Sequence, residues 1–409
     1  MSPAPTAALR ARTAVYAAFV LNGFCFSSWV ARIPSVRETL ELTPGRLSLL
    51  LLALSVGSVV AMPLSGAVVV RLGRARTVLG GATAVAVGMA TTALAVDGLG
   101  SVPLAAAGLL VQGAGVAAWD VAMNVEGTVV ERRLDRSIMS RFHAGYSFGT
   151  VLAAGLGAGL LALSVPTWLH LSVTAVLALG GAAVVVRSFL DDPAPEPGQV
   201  PAGAITLRRA WTEPRTLLIG VMVLGMAFVE GTANDWLAVG MVDGYGTTHA
   251  VGVAGFAVFV TAMTVGRLLG PVVLARVGRV PALRVCAALA VAGVLLFVLA
   301  PSVPLAVAGA AVWGIGAALG FPLGMSAAAD EEVNAAVRVS VVSSVGYAAF
   351  LAGPPVLGLL ADRIGVLDAL TAAAVMSALA LVVSGAAAPH HAGTALGADR
   401  ERGRGTVSS

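Results

Sequence analysis

The chain writes one hydrophobic plan twice. Gly113-Ala114-Gly115 followed by Ala117-Ala118 returns about 200 residues later as Gly314-Ile315-Gly316 followed by Ala317-Ala318, and Gly145-Tyr146 returns at the same offset as Gly346-Tyr347. Arg71-Leu72-Gly73-Arg74 returns as Arg276-Val277-Gly278-Arg279, and Asn22-Gly23 ahead of Trp29 returns as Glu230-Gly231 ahead of Trp236. An in-register duplication of this length predicts two copies of one architecture packed about a pseudo-symmetry axis.

The medium follows from charge. Val15 to Val30 and Leu47 to Val70 carry no charged residue, and each can cross a hydrocarbon core of about 30 Å, which takes about 20 apolar residues. Only 11% of the chain is charged, against about 25% in a soluble domain, and mean hydropathy is +0.91. Inside a bilayer each segment must satisfy its own backbone groups, so these stretches are expected to be helices. The formal charge of +4 does not point to nucleic acid, because the basic residues are scattered between hydrophobic runs. All 25 basic residues are arginine, which excludes a Walker A lysine and a Schiff-base lysine. Cys25 and Cys286 fall within apolar spans and read as small packing residues, with no disulfide framework. No convergent nucleophile and base point to an enzyme, and no residue cluster calls for a metal or cofactor.

Hydropathy places spans at 13–32, 46–70, 77–96, 103–127, 141–163 and 167–187, then at 216–240, 250–275, 281–300, 304–328, 338–361 and 366–387. The expected organisation is all-α: a six-helix bundle over 1–187, a linker over 188–215, a second six-helix bundle over 216–388 and a polar, disordered tail over 389–409. The linker contains Asp191-Asp192-Pro193-Ala194-Pro195-Glu196-Pro197-Gly198, which neither continues a helix nor buries itself. With the N-terminus inside, Arg10, Arg12, Arg71, Arg74, Arg76, Arg133, Arg187, Arg276, Arg279 and the tail arginines all face the cytoplasm, while Arg32, Arg37, Arg46 and Arg363 fall outside. That bias predicts both termini on the cytoplasmic side of the membrane.

Twelve spans in two homologous halves, a long middle loop and a glycine-arginine motif after the second span resemble the major facilitator superfamily. Its signature Gly-x-x-x-Asp-Arg-x-Gly-Arg is met by Gly66, Arg71, Gly73 and Arg74, with Val70 at the acidic position. The second copy keeps Arg276, Gly278 and Arg279, with Ala275 at the acidic position and Pro271 at the first glycine. The resemblance implies a cytoplasmic gate in which these arginines engage helix ends or acids of the neighbouring bundle when the inward face is shut. Trp119-Asp120-Val121-Ala122-Met123-Asn124-Val125-Glu126-Gly127, Phe142-His143-Ala144-Gly145-Tyr146-Ser147 and Met263-Thr264-Val265-Gly266-Arg267-Leu268-Leu269-Gly270 resemble the MosC-like branch of that superfamily.

An ionised group at the bilayer centre costs about 2.5–3.5 kcal/mol even on an insertion scale, so polar residues within spans need a reason. Gln112, Asp120 and Asn124, spaced by eight and then four residues, are expected on one face of the fourth span, with Glu126 rotated off it. Glu126 is either a cavity residue or an acid at the inner interface. Glu230 and Asn234 share a face of the seventh span, and the resemblance sets Asn22 of the first span opposite them. By residue count Arg267 lies nearer the cytoplasm than Glu230, so no direct pair between them is expected. Asp235 is expected near the outer water, His143 at a helix interface, and Trp119 and Trp313 either stack on a ring-shaped solute or pack between helices.

The reading is a secondary transporter, monomeric in the lipid bilayer. It moves a small polar solute of sugar, polyol or inositol type by alternating access and is coupled to protons through Glu230 or Asp120. Alternatives are proton-driven efflux of an amphipathic compound and a non-transporting sensor or assembly partner.

Overall fold

The computed structural model describes residues 3–134, 138–190, 205–331 and 334–389, and among these it is helical with no strand. The expected tail from residue 390 and most of the expected linker, 191–204, lie outside the described residues. The first half comprises α1 (Pro3–Val30), the short α2 (Ile33–Thr39), α3 (Pro44–Leu72), α4 (Arg74–Ala93), α5 (Val102–Leu134), α6 (Met139–Ala162) and α7 (Thr167–Val185). After the one-turn α8 (Leu207–Ala210), the second half comprises α9 (Pro214–Thr232), α10 (His249–Val277), α11 (Arg279–Leu299), α12 (Val303–Ala317), α13 (Gly320–Ala328), α14 (Ala335–Ile364) and α15 (Val366–Val383). Twelve segments are long and apolar enough to cross a membrane, and they fall where hydropathy places them, with α12 and α13 together forming the tenth. Two spans depart from regular α-helix. α9 continues through π-helical turns at Ala233–Leu237 and Gly240–Gly244, and the tenth span breaks at Ala318–Leu319.

The repeated sequence motifs do the same work in each half. A Cβ on Gly113 would meet the Leu54 carbonyl of α3, and one on Gly115 would sit 2.6 Å from the Gly81 carbonyl of α4. In the second copy Gly314 abuts the Phe259 carbonyl of α10, and Gly316 abuts Ala290 of α11. Two glycines on different faces thus wedge the fourth and tenth spans tightly between the same two neighbours. Van der Waals packing of this kind substitutes for the hydrophobic drive that lipid cannot supply. Gly73 and Gly278 end α3 and α10 at φ of 83° and 81°, a left-handed backbone that permits single-residue turns into α4 and α11. The helix starts repeat as well: Thr43 caps α3 through Arg46 N–H at 3.3 Å, and Thr248 caps α10 through Val251 N–H at 3.4 Å.

The halves meet chiefly where α3 runs beside α14 and α6 beside α10. One face of the molecule carries Arg71, Arg74, Arg276 and Arg279 and is called here the arginine-rich face. At the opposite face, among the described residues, ion pairs tie the halves together: Arg37 to Asp243, and Glu38 to His249 at 3.0 Å. At the arginine-rich face the pairs seen run within each half, as Arg74 to Glu126 and Arg279 to Asp330. Among the described residues, the Arg37–Asp243 and Glu38–His249 pairs that join the halves lie at the end opposite the arginine-rich face.

Candidate functional site: a cavity between the halves

A cavity of about 300 Å³ lies between the halves, walled by α1, α3, α5 and α6 on one side and by α9, α10 and α14 on the other. Its polar wall contains Asn22, Asp120, Glu230, Asn234, Asp235 and Arg267. Of the residues singled out from sequence, Asn22, Asp120, Glu230, Asn234 and Arg267 are thus brought together. Asn22 is 1% exposed, and neither its Nδ2 nor its Oδ1 has a hydrogen-bond partner. Its neighbour Gly23 lets the Tyr146 carbonyl approach α1, which sets the Tyr146 ring at the same cavity.

Glu230 and Arg267 form a direct pair, against the expectation from residue count. Arg267 Nη2 donates to Glu230 Oε1 at 3.0 Å and to Oε2 at 2.9 Å. The reason is helix direction. Side chains lean toward the N-terminus of their own helix, and α9 and α10 run antiparallel, so Glu230 leans toward the arginine-rich face while Arg267 leans away from it. The two leanings close the gap that counting along the axis suggests. Arg267 Nε also donates to the Ala318 carbonyl at 3.2 Å, an acceptor at the break between α12 and α13. Gly266 allows this approach, since a Cβ there would fall 2.7 Å from Ala318 Cβ.

Asp120 has a different environment. Its Oδ1 accepts from Asn124 Nδ2 at 3.2 Å, and among the described residues no arginine or histidine pairs with it. Asn124 also donates to the Asp120 carbonyl at 2.9 Å, so it buttresses Asp120 and is not itself part of the cavity wall. Gln112 is fully buried away from the cavity, with both amide atoms unpartnered. The single-face expectation fails there because eight residues at about 100° each leave Gln112 about 80° around the helix from Asp120. It packs instead against Gly88 of α4.

Glu126 also lies away from the cavity. It is fully buried at the arginine-rich end, where Oε2 takes Arg74 Nε at 2.5 Å and Oε1 takes the Leu190 N–H at 2.7 Å. Arg74 Nη2 completes the knot on the Leu190 carbonyl at 2.7 Å. In the second half Arg279 holds Asp330 with two bonds, Nη1 to Oδ2 at 2.9 Å and Nη2 to Oδ1 at 2.8 Å, and Arg215 adds a third at 2.9 Å. Arg74 and Arg279 thus bind acids of their own half in this structure, while the contacts with helix ends or the neighbouring bundle that the resemblance implies are those of a shut inward face. Burial pushes the Asp330 carboxyl up, but the two guanidiniums more than offset this and hold it below the usual carboxylate range. Arg338 likewise holds Glu213 low.

Several wall residues were not singled out from sequence. Tyr146 and Tyr347 are the matched tyrosines of the repeat and face the cavity from α6 and α14. Ser55, Ser58 and Thr150 add hydroxyls, with Ser58 Oγ bonded to the Gly113 carbonyl at 3.0 Å. Asp235, expected near the outer water, instead lines the cavity, within the π-helical turn that extends α9. Such turns recur at functional sites because they re-aim side chains that a regular helix would send elsewhere. Trp313 packs edge-on against Phe259 and Phe297, at 5.7 and 6.0 Å, and neither it nor Trp119 lines the cavity. His143 lies edge-on to Phe19 at 5.1 Å.

Two pseudo-symmetric sets of six spans around a central, mainly apolar cavity that carries a few charged side chains define a membrane transporter of the alternating-access kind. The chain belongs to the Major Facilitator Superfamily, whose profile matches residues 15–336. It is 32% identical over 349 residues to the uncharacterized transporter y4wD of Sinorhizobium fredii, covering 85% of this chain and 90% of that one. It is 26% identical over 358 residues to the membrane protein MosC of Rhizobium meliloti, covering 86% and 84%. In fold it is similar to a variant of the nucleoside transporter NupG, at TM-score 0.71, 16% identity and coverage of 92% and 98%. It is also similar to the E. coli fucose:proton symporter FucP, at TM-score 0.64, 15% identity and the same coverage.

Proposed function

We propose that this transporter moves a small polar organic solute of sugar, polyol or inositol type, coupled to protons through Asp120. The observation that carries the coupling is the contrast between Glu230 and Asp120, carboxylates on opposite sides of the cavity. Glu230 is neutralised by a two-point bond from Arg267, whereas Asp120 has only an amide beside it. A carboxylate in a membrane cavity without a cationic partner is a group to which a proton brings large relief, and among the described residues Asp235, the third cavity carboxylate, shares this condition with Asp120. The Glu230–Arg267 pair then serves as a fixed dipole that orients cargo.

The solute class rests on the free amide of Asn22, the amide of Asn234, the hydroxyls of Ser55 and Thr150 and the tyrosine pair, a set suited to a hydroxylated ring. The names of the two structural neighbours, a nucleoside transporter and a fucose symporter, agree with such a cargo. Phe26, Phe256 and Phe350 supply an apolar counter-wall, and this favours as a second reading the efflux of an amphipathic compound.

We further propose that the arginine-rich face is cytoplasmic, with both termini inside and the monomer as the working unit. A panel of sugars, polyols and nucleosides, screened for thermal stabilisation of the purified protein and then for flux into proteoliposomes under an imposed pH gradient, tests the reading. Saturable, gradient-dependent flux of a hydroxylated solute supports it. Flux restricted to amphipathic compounds moves the assignment to efflux, and absence of flux for the whole panel refutes both.

A further inference from the structure

The gate signature occurs a third time, at the other side of the molecule. Gly358, Asp362, Arg363 and Gly365 reproduce the spacing Gly-x-x-x-Asp-Arg-x-Gly at the turn from α14 to α15, and this copy keeps the acid that Val70 and Ala275 replace elsewhere. Gly365 ends α14 at φ of 88°, as Gly73 and Gly278 end their helices. Copies one and two lie at the arginine-rich face. Copy three lies at the face where the halves are clasped.

Its acid acts across the boundary between the halves. Asp362 Oδ1 accepts from the Gly45 N–H at 3.0 Å, and Gly45 lies in the first turn of α3, a 29-residue helix of the first half. A carboxylate there meets both a free backbone donor and the positive end of the helix dipole. The approach is built for closeness on both sides. A Cβ on Gly45 would collide with the Asp362 carboxylate, and a Cβ on Gly358 would fall 2.8 Å from the Pro44 carbonyl and against Ser48. Ser48 Oγ in turn donates to the Gly45 carbonyl at 2.7 Å, fixing the first turn of α3.

We propose that Asp362 is a latch of the outer gate: its carboxylate holds the N-terminus of α3 while the outer face is shut and releases it when the halves rock apart. The proposal rests on the alternating-access reading above, though not on any choice of cargo or coupling ion. It implies that this chain has kept the acid-bearing form of the signature at its outer gate and lost it at the inner one.

The test is a distance distribution between spin labels at Leu99→Cys and Pro301→Cys, one outer loop from each half, in full-length protein in lipid nanodiscs with Cys25 and Cys286 replaced by alanine. The parent should show mainly the short, outer-closed distance. Asp362→Ala should raise the outer-open share about tenfold, the effect of losing one hydrogen bond to a charged group. Asp362→Asn, which keeps an acceptor oxygen and loses the charge, should fall between, and it carries the test if the alanine variant does not fold. Arg37→Ala, which breaks the separate pair with Asp243, is the reference for a loosened outer gate. A second distance in Arg37→Ala with none in either Asp362 variant overturns the latch alone. One unchanging distance in every variant overturns the latch together with alternating access.

Discussion

Arg267 of α10 clasps both carboxylate oxygens of Glu230 of α9 at 3.0 and 2.9 Å, inside the wall of the central cavity and close to the break in the tenth span. The pair links α9, α10 and the α12–α13 junction, three elements of one half, so it moves as a unit when that half rocks.

The pair should behave as one functional group. Glu230→Gln and Arg267→Met each leave a lone charge or an unfilled site facing cargo, and each is expected to cut transport about tenfold or more. The double variant should do no worse than the poorer single variant. Independent, multiplicative losses in a double-mutant cycle of uptake rates would show that the pairing is not what matters.

The buried knot of Arg74, Glu126 and Leu190 is expected to stabilise without touching cargo. Glu126→Gln should lower the melting temperature, with a loss of about 2–3 kcal/mol from an uncompensated buried arginine, and should leave the apparent affinity for solute unchanged. A shift in affinity with normal stability would contradict this placement.

Asp330 and Glu213 are both held below their ordinary range by arginines, so they stabilise the fold above about pH 4, the unfolded carboxylate value, and that contribution is lost as pH falls through their lowered folded values. Thermal melts in nanodiscs between pH 7 and pH 3 should show this loss, and Asp330→Asn should flatten the acid limb while lowering stability at neutral pH. Parallel limbs in the parent and the variant would count against it.

Tyr146 and Tyr347 face the cavity from equivalent positions of the two halves. Replacing either by phenylalanine should cost little if the ring is what packs on cargo, and about tenfold in apparent affinity if the hydroxyl is the contact. Alanine should cost about tenfold or more in both cases. An alanine variant with unchanged affinity would remove the tyrosine from the binding wall.

The spans, the two halves and the glycine-ended turns were legible in the sequence, because charge-free length and left-handed glycines leave few alternatives in lipid. Lateral position around a helix was harder to read. Asp120 and Glu126 lie six residues apart on α5, yet one lines the cavity and the other is sealed against Arg74. Small hydroxyls were equally ambiguous: Ser55 and Thr150 line the cavity, yet Thr150 bonds back to the Ser147 carbonyl much as Thr83, Thr261 and Thr264 bond back to carbonyls four residues earlier. The tyrosine pair was visible only as part of the repeat, which carries no information on whether a ring faces a cavity or a neighbouring helix. Asp235 depended on a π-helical turn, and the Glu230–Arg267 pair on the lean of side chains along antiparallel helices.

Proton coupling through Asp120 is most directly tested in proteoliposomes that compare solute accumulation under an inward proton gradient with solute exchange at equal pH, for the parent protein and Asp120→Asn. The variant is expected to keep exchange at close to the parent rate and to lose gradient-driven accumulation. Accumulation at the parent level in Asp120→Asn would contradict it.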